Sequence, residues 1–430
     1  MLAFFKRTVI YILTWEARLA LMRHKPRIIA VTGSVGKTTT KDAIFSALSG
    51  ELYVRKSAKS YNSDIGVPLT ILGCENAWSN PFKWIENIVR GIGVIVLPGE
   101  YPAWLVLEVG ADRPGDTRRI AKWLRPDISV ITGVPEIPAH VEYFNSPDDL
   151  VKEKRALAEY LRPGGKLILN GDDMRMREIH TSFRGACITF GLENNSDFYA
   201  SHDEIIYTGG MPQGIRFRVN HSGSSVPVTI FGALGRPRMY AALAAIAVAD
   251  CIGVDTVSTA TALSAWEPPP GRVRLLPGIK GTVLIDDTYN SSPTAALAAL
   301  DTLKSVHAKR RIAVLGDMLE LGKYSADAHR EIGRRVAACA DRLITVGFRS
   351  RVTAEAALDA GMEESMIRQY ELHEAERAGE ELSHELAAGD VILIKGSQSM
   401  RMERTVLSLM AEPQRAEELL VRMDPEWRVR

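Results

Sequence analysis

Thr32-Gly33-Ser34-Val35-Gly36-Lys37-Thr38-Thr39-Thr40 is the stretch on which the fold of this chain turns. The apolar run Ile28-Ile29-Ala30-Val31 precedes it, and a helix-like segment, 41–48, follows. Strand, glycine-rich loop and helix in that order form a phosphate-binding loop. Glycines let backbone N–H groups approach phosphate oxygens without Cβ clashes. The helix N-terminus adds unpaired N–H groups and the positive end of its dipole. In this reading Gly33, Ser34, Gly36 and Thr39 cradle the phosphates. Lys37 reaches the β- and γ-phosphates, and the Thr38 hydroxyl holds magnesium. The generic pattern begins with a glycine where this chain has Val31, and Gly33 is additional.

The 430 residues are 46% hydrophobic and 24% charged, an ordinary soluble composition. At about 150 residues per domain, two or three domains are expected. A net charge of +1 provides no global field for nucleic acid, so none is expected as a partner. Cys74, Cys187, Cys251 and Cys339 are far apart and form no C-x-x-C pair. That spacing suggests neither a zinc site nor a disulfide framework and fits a reducing cytoplasm. Residues 1–26 are strongly apolar, but Lys6, Arg7, Glu16 and Arg18 interrupt them. A membrane span needs about 20 mostly apolar residues, and no small-residue cleavage site for a signal peptide follows. An amphipathic helix packed on the next domain is expected, with an interfacial membrane helix as the alternative.

Trp104-Leu105-Val106-Leu107-Glu108-Val109, residues 128–132 and Lys166-Leu167-Ile168-Leu169-Asn170 read as buried strands. Gly171-Asp172-Asp173 follows the last of them. Helix-like stretches between these runs imply a parallel sheet covered by helices. Residues 205–231 alternate in short runs with Gly and Ser turns, which suggests antiparallel strands, and 239–252 is Ala-rich and helical. Glu267-Pro268-Pro269-Pro270-Gly271-Arg272 marks a boundary, because consecutive prolines admit neither helix nor central strand. A second α/β set follows, with strands at Val283-Leu284-Ile285-Asp286-Asp287, 311–315, 343–346 and 391–394. The division is an apolar helix over 1–26, a central domain over 27–267 and a last domain over 268–430.

Several side chains carry possible chemistry. Acids at the carboxyl ends of parallel strands face the ligand crevice, so Glu108 is placed to join Thr38 on magnesium. His140, in Pro138-Ala139-His140-Val141-Glu142, has no role that spacing alone assigns. Lys154 starts a helical pattern in which a lysine is ordinarily a solvated face. Asp286-Asp287-Thr288-Tyr289-Asn290 ends a strand, where an acidic pair suits a ribose hydroxyl or a metal. A helix cap by Asn290 or Ser291 explains part of that pattern equally well.

Taken together, these segments resemble the Mur ligases, and within them the D-alanyl-D-alanine-adding branch. The resemblance rests on the 32–40 loop, Asn62-Ser63-Asp64-Ile65-Gly66-Val67-Pro68, Glu108-Val109-Gly110-Ala111, Ala139-His140 and Pro270-Gly271-Arg272. It continues through Asp286-Asp287-Thr288-Tyr289-Asn290-Ser291-Ser292-Pro293, Gly316-Asp317-Met318-Leu319-Glu320-Leu321-Gly322 and Lys395-Gly396-Ser397-Gln398-Ser399-Met400-Arg401-Met402-Glu403. Order and rough spacing agree from about 28 to 406.

The resemblance implies an α/β fold with a central P-loop ATPase domain on a parallel sheet and a C-terminal Rossmann-like domain. It implies an ATP- and magnesium-dependent amide ligase that works through an acyl phosphate in peptidoglycan synthesis. Thr38 and Glu108 would hold one magnesium and His140 a second. Lys154 matches the family's carbamylated lysine. Arg272 and Asn290 would contact nucleotide near the hinge, with Asp287 on the ribose side. Asn62 falls on the substrate side, while Lys395, Ser397, Asp317 and Glu320 would face the incoming amine. A cytoplasmic monomer acting on a peptide or sugar-peptide acceptor and a D-Ala-D-Ala-like amine is the expectation.

Three departures accompany the resemblance. Only residues 1–26 precede the ATPase strand, too few for the family's N-terminal UDP-binding domain. Gly235-Arg236-Pro237-Arg238-Met239-Tyr240-Ala241 replaces a segment where the family usually has His and Asn, which implies different adenine contacts. Residues 74–102 look like an apolar insertion that, with 1–26, would either pack internally or touch a membrane or lipid-linked substrate. The alternatives are a related ligase with another amino acid or a non-UDP or lipid-linked acceptor, and a non-catalytic nucleotide-binding partner.

Overall fold

The computed structural model describes residues 2–58, 60–78, 80–111, 113–138, 141–424 and 427, with side chains from residue 7 onward. Nine strands form the first sheet: β1 (Arg27–Thr32), β2 (Val54–Lys56), β3 (Trp104–Glu108), β4 (Ile128–Ile131), β5 (Lys166–Asn170), β6 (Ala186–Gly191), β7 (Phe198–Thr208), β8 (Met211–His221) and β9 (Ser224–Phe231). Their order is β2-β3-β1-β4-β5-β6-β7-β8-β9. Pairing is parallel from β2 to β7 and antiparallel through β8 and β9.

The helices of this half are α1 (Leu2–His24), α2 (Lys37–Ser49), α3 (Gly66–Leu72), α4 (Pro81–Val96), α5 (Asp116–Leu124), α6 (Pro147–Glu159), α7 (Met174–Ser182), α8 (Arg236–Ile252) and α9 (Thr256–Ser264). Alternate side chains of a strand point to opposite faces. Ile29 and Val31 accordingly enter a core shared with α2 and α8, while Ile28 and Ala30 enter another with α1, α3 and α5. Helices on both faces leave the central strands fully buried, which is why they read as unbroken apolar runs.

The second sheet holds β10 (Arg274–Gly278), β11 (Thr282–Asp287), β12 (Arg310–Gly316), β13 (Arg342–Val346), β14 (Ile367–Tyr370) and β15 (Asp390–Lys395), in the order β10-β11-β15-β12-β13-β14. Only β10 runs antiparallel to its neighbour. Helix α10 (Pro293–Ser305) follows β11. The proline segment lies between α9 and β10 in neither helix nor strand. Beyond it the chain returns to the first sheet's last strand, where Leu275 N–H donates to Gly232 O at 2.8 Å. One apolar core is continuous across both halves, running from Ile29 and Val31 through α8 to Leu300 and Ala313.

β1 lies between β3 and β4, so the chain leaves it in opposite directions on its two sides. Such a switch point opens a crevice at the carboxyl ends of the strands. The 33–36 loop sits in that crevice, and the carboxyl ends of β11 and β15 line the opposite wall.

Candidate active site between the two sheets

The loop is held by the strand beside it. Gly33 has φ 140° and Gly36, which caps α2, has φ 84°. Both lie where a side chain is disfavoured. A Cβ on Gly33 would stand 2.0 Å from Thr132 Oγ1. That hydroxyl is already engaged with Val35 O at 2.5 Å and Thr32 O at 3.2 Å. Ser34 N–H donates to Gly133 O at 2.9 Å, while the Ser34 hydroxyl is buried with no hydrogen-bond partner among the described residues. Lys37 opens α2, and Thr38 and Thr39 follow it in the first turn.

Residues 60–62 connect Thr38 to Glu108. Ser60 Oγ lies 3.0 Å from Thr38 Oγ1. Asn62 Nδ2 donates to Glu108 Oε1 at 3.0 Å, and Asn62 O accepts from Gly110 N–H at 2.7 Å. Asn62 therefore orients the carboxylate through its Nδ2. Glu108 is 1% exposed, and its Oε2 has no partner among the described residues. A buried polar atom without a partner is one that an ion or an ordered water can complete. Magnesium fits that oxygen, because it takes one or two carboxylates and completes its shell with phosphate and water. Among the described residues no three His, Cys, Asp or Glu cluster as an all-protein metal cage. His140 lies outside the described residues. Lys154 differs from the sequence expectation of a solvated face: it is mid-helix in α6 and 2% exposed. One helical turn away on either side, Leu150 and Ala158 enter a core with Ala111 and Ile131, just past β3 and at the end of β4.

The opposite wall starts just past the proline segment. Gly271 N–H donates to Asp286 Oδ2 at 3.0 Å, and Val273 N–H to Asp287 Oδ1 at 3.2 Å. Burial pushes the Asp286 carboxyl up to about 6. Between these two anchors Arg272 points back at the loop, with Nη2 3.5 Å from Thr38 Oγ1 and its guanidinium 3.9 Å from the centre of the Tyr289 ring. Asp287 Oδ2 accepts from Lys395 Nζ at 2.6 Å, and Lys395 also donates to Asn290 O at 2.8 Å. Asp287 and Lys395 are thus a buried pair across the β11–β15 register. Neither Asn290 nor Ser291 caps α10: its N-cap is Ser292, and Asn290 Oδ1 accepts from Ser291 N–H.

Asp317 and Ser397 are internal to the last domain. Ser397 Oγ accepts from Leu319 N–H at 2.9 Å, Ser397 N–H donates to Asp317 O, and Asp317 Oδ1 accepts from Ser350 N–H. They brace the loop that carries Glu320. Glu320 has φ 62°, and its carbonyl accepts from Glu142 N–H at 3.4 Å, so this loop touches the central domain two residues past His140.

Between the walls lies a cleft of about 1410 Å³. Small-ligand sites are roughly 300–1,000 Å³, so there is room for a nucleotide and a second molecule. Ser34, Gly36, Thr39, Arg272, Asp287, Asn290 and Lys395 line it. So do groups that the sequence reading did not single out as site residues: Thr132, Asp172, Arg175 and Tyr240. Tyr240 OH donates to Asp172 Oδ2 at 2.8 Å, and this acid lies two residues past β5, as Glu108 ends β3. A strand-end acid before a helix was the available signal for Asp172 and Asp173. Arg238 is fully buried over the Trp266 ring and donates to Arg272 O. Its Nη1 has no partner among the described residues, and burial lowers the guanidinium to about 9.

Comparison with known proteins agrees with this arrangement. Residues 97–249 match the model of the Mur ligase middle domain, and 271–398 that of the Mur ligase glutamate ligase domain. The UDP-N-acetylmuramoyl-tripeptide–D-alanyl-D-alanine ligase of Synechocystis is 32% identical over 387 residues, covering 90% of this chain and 75% of the relative. The Bacillus subtilis ligase of the same name is 28% identical over 399 residues, covering 92% and 79%. Among solved structures, the MurF ligase of Thermotoga maritima in complex with ADP superposes with a TM-score of 0.73 at 25% identity, covering 93% of this chain and 82% of that one. MurF of Acinetobacter baumannii, at 24% identity and TM-score 0.76 over 93% and 80%, shares the fold. On its sequence, its two sheets and the loop between them, the chain belongs to the Mur ligase family.

Proposed function

We propose that this chain is an ATP-dependent carbon–nitrogen ligase that joins D-Ala-D-Ala to the peptide of a UDP-N-acetylmuramoyl tripeptide, as the named relatives do. The observation that carries the reading is the partnerless Glu108 oxygen, linked through Asn62 and Ser60 to Thr38 on the phosphate loop. That oxygen is free to take a cation, and Asn62 holds the other oxygen of the same carboxylate in place.

A carboxylate oxygen of the acceptor peptide attacks the γ-phosphorus of ATP, and ADP leaves. The dipeptide amine then attacks the acyl carbon, phosphate departs, the nitrogen loses a proton and an amide remains. Anionic charge builds on the transferred phosphoryl oxygens, so clustered positive charge is the principal requirement. Lys37 and the α2 N-terminus meet the phosphates, and Arg272 approaches them from the hinge. Magnesium on Thr38 and Glu108, with a second ion on His140 and a carbamylated Lys154, would neutralise the same oxygens. Tyr240, Asp172 and Arg236 line the cleft and would meet the adenosine. Asp317 and Ser397 act by fixing the loop that presses Glu320 onto the central domain. The last domain then supplies the amine side, and movement about 268–272 admits substrates and excludes water. In our reading the chain works as a monomer in the cytoplasm; its four free thiols suit a reducing compartment.

The test is phosphate release from ATP across a panel of UDP-N-acetylmuramoyl peptides with and without D-Ala-D-Ala. Release that requires both the tripeptide and the dipeptide is expected. Release indifferent to either, or undiminished amide synthesis in Lys37→Ala, refutes the proposal.

A further inference from the structure

Helices α1 and α4 each bury one face and expose a second apolar one. The buried faces interlock. A Cβ on Gly91 would lie 2.2 Å from Glu16 Oε2, so glycine is what lets the two helices approach there. Arg23 Nη2 donates to Leu97 O at 2.9 Å, His24 bonds Val94 O at 2.9 Å, and the His24 ring stacks on Tyr101. Leu13, Ala17, Ala20 and Trp84 already serve the core below.

The outer faces have no such use. On α4, Phe82, Ile85, Val89, Ile92 and Val96 recur every three or four residues and are all at least half exposed, with Phe82 at 80%. On α1, Tyr11, Trp15, Leu19 and Met22 repeat the same spacing, and Tyr11 meets Trp15 edge to face. A helix covering a core needs one apolar stripe; a second one, exposed along two touching helices, marks an interaction surface.

Charge selects the partner. Residues 2–27 and 81–97 carry eight Lys and Arg against Glu16 and Glu86, in a chain whose overall charge is only +1. Glu16, the one acid of α1, is buried against α4, so the charged groups α1 exposes are all cations. Exposed Trp and Tyr beside basic residues suit the headgroup layer of a bilayer. No helix among the described residues is long and apolar enough to cross a membrane, which leaves a helix pair lying in the surface.

We propose that the outer face of α1 and α4 docks this ligase onto an anionic lipid surface, with the two apolar stripes inserted at the level of the acyl boundary and the basic groups on the phosphates. The test is co-sedimentation of the full chain with phosphatidylcholine vesicles and with vesicles that also contain phosphatidylglycerol. The wild-type chain should bind the anionic vesicles at least about tenfold more strongly, and added salt should weaken the binding. Ile85→Glu/Val89→Glu/Ile92→Glu changes only exposed positions and should reduce binding by at least about tenfold. Unchanged nucleotide binding in that variant confirms its fold. Arg7→Glu/Arg90→Glu, which keeps the stripes, should lose the preference for anionic lipid. The proposal is overturned if the wild type sediments with neither vesicle, or if the triple variant binds as well as the wild type. A dimer in light scattering that the triple variant dissolves, without vesicle binding, overturns it in favour of a second copy of the chain.

Discussion

Replacing Gly33 by alanine should disable the phosphate loop while leaving the protein folded. Gly33 holds φ 140°, where a residue with a Cβ is strained by about 1–3 kcal/mol. The added carbon would stand 2.0 Å from Thr132 Oγ1 and 3.1 Å from Gly133 O, so the hydroxyl must move. Moving it forfeits contacts to Val35 O and Thr32 O, about 1 kcal/mol more. The loop's binding geometry therefore becomes about 2–4 kcal/mol harder to reach. At 1.4 kcal/mol per tenfold, ATP affinity should fall roughly 30- to 1,000-fold. Titration calorimetry with a non-hydrolysable ATP analogue and magnesium measures it, and circular dichroism checks the fold. Gly33→Ala/Thr132→Ala removes the clashing oxygen but not the φ strain, so it should recover part of the loss. Binding by Gly33→Ala within threefold of wild type would refute the reasoning. So would full recovery in the double variant, because strain would then contribute nothing.

Other outcomes follow from the same geometry. Burial holds the Glu16 carboxyl at about 7 against an ordinary 4.5, so the folded state binds its proton more tightly than the unfolded chain does. Stability is then unpenalised below about 4.5 and falls as pH rises through 7, by about 2–3 kcal/mol once solvent screening is allowed for. Glu16→Gln should accordingly gain over wild type only as pH rises, in urea unfolding between pH 4.5 and 8; a gain independent of pH would refute it. Lys395→Met strands Asp287 in a buried site and should cost about 3–5 kcal/mol in unfolding of the last domain, whereas Lys395→Met/Asp287→Leu should cost less than the sum of the single changes. Asn62→Ala frees the carboxylate it orients, so half-maximal turnover should need about 10–100-fold more magnesium. Unaltered magnesium dependence in that variant would show that Glu108 holds no metal.

Local sequence carried much of the site. The glycine spacing of 33–36, its strand and its helix were legible because a phosphate loop is a short-range structure. Glu108, Asp172 and Asp287 were placed at strand ends because buried parallel strands show as unbroken apolar runs. The break between α9 and β10 was legible from its prolines. The same local reading left the partners of these groups open. Nothing near Asn62 in the chain says that it serves Glu108, nor does anything near Lys395 say that Asp287 neutralises it. Both pairings arise from strand order, which brings the end of β15 beside β11 and residue 62 beside β3.

Burial was the second quantity that sequence withheld. Lys154 resembles any helix-surface lysine until α6 is laid against the ends of β3 and β4. In α4 one broad apolar stripe covers both the buried Trp84 side and the exposed Phe82 and Val89 side, so periodicity could not say which of its residues the core uses. The sequence by itself determined the chemistry available at the carboxyl ends of two parallel sheets, since that is written in motifs a few residues long. Only the tertiary structure decided which of those groups meet, which are consumed by one another and which apolar face remains for a partner, because those are contacts between segments distant in the chain.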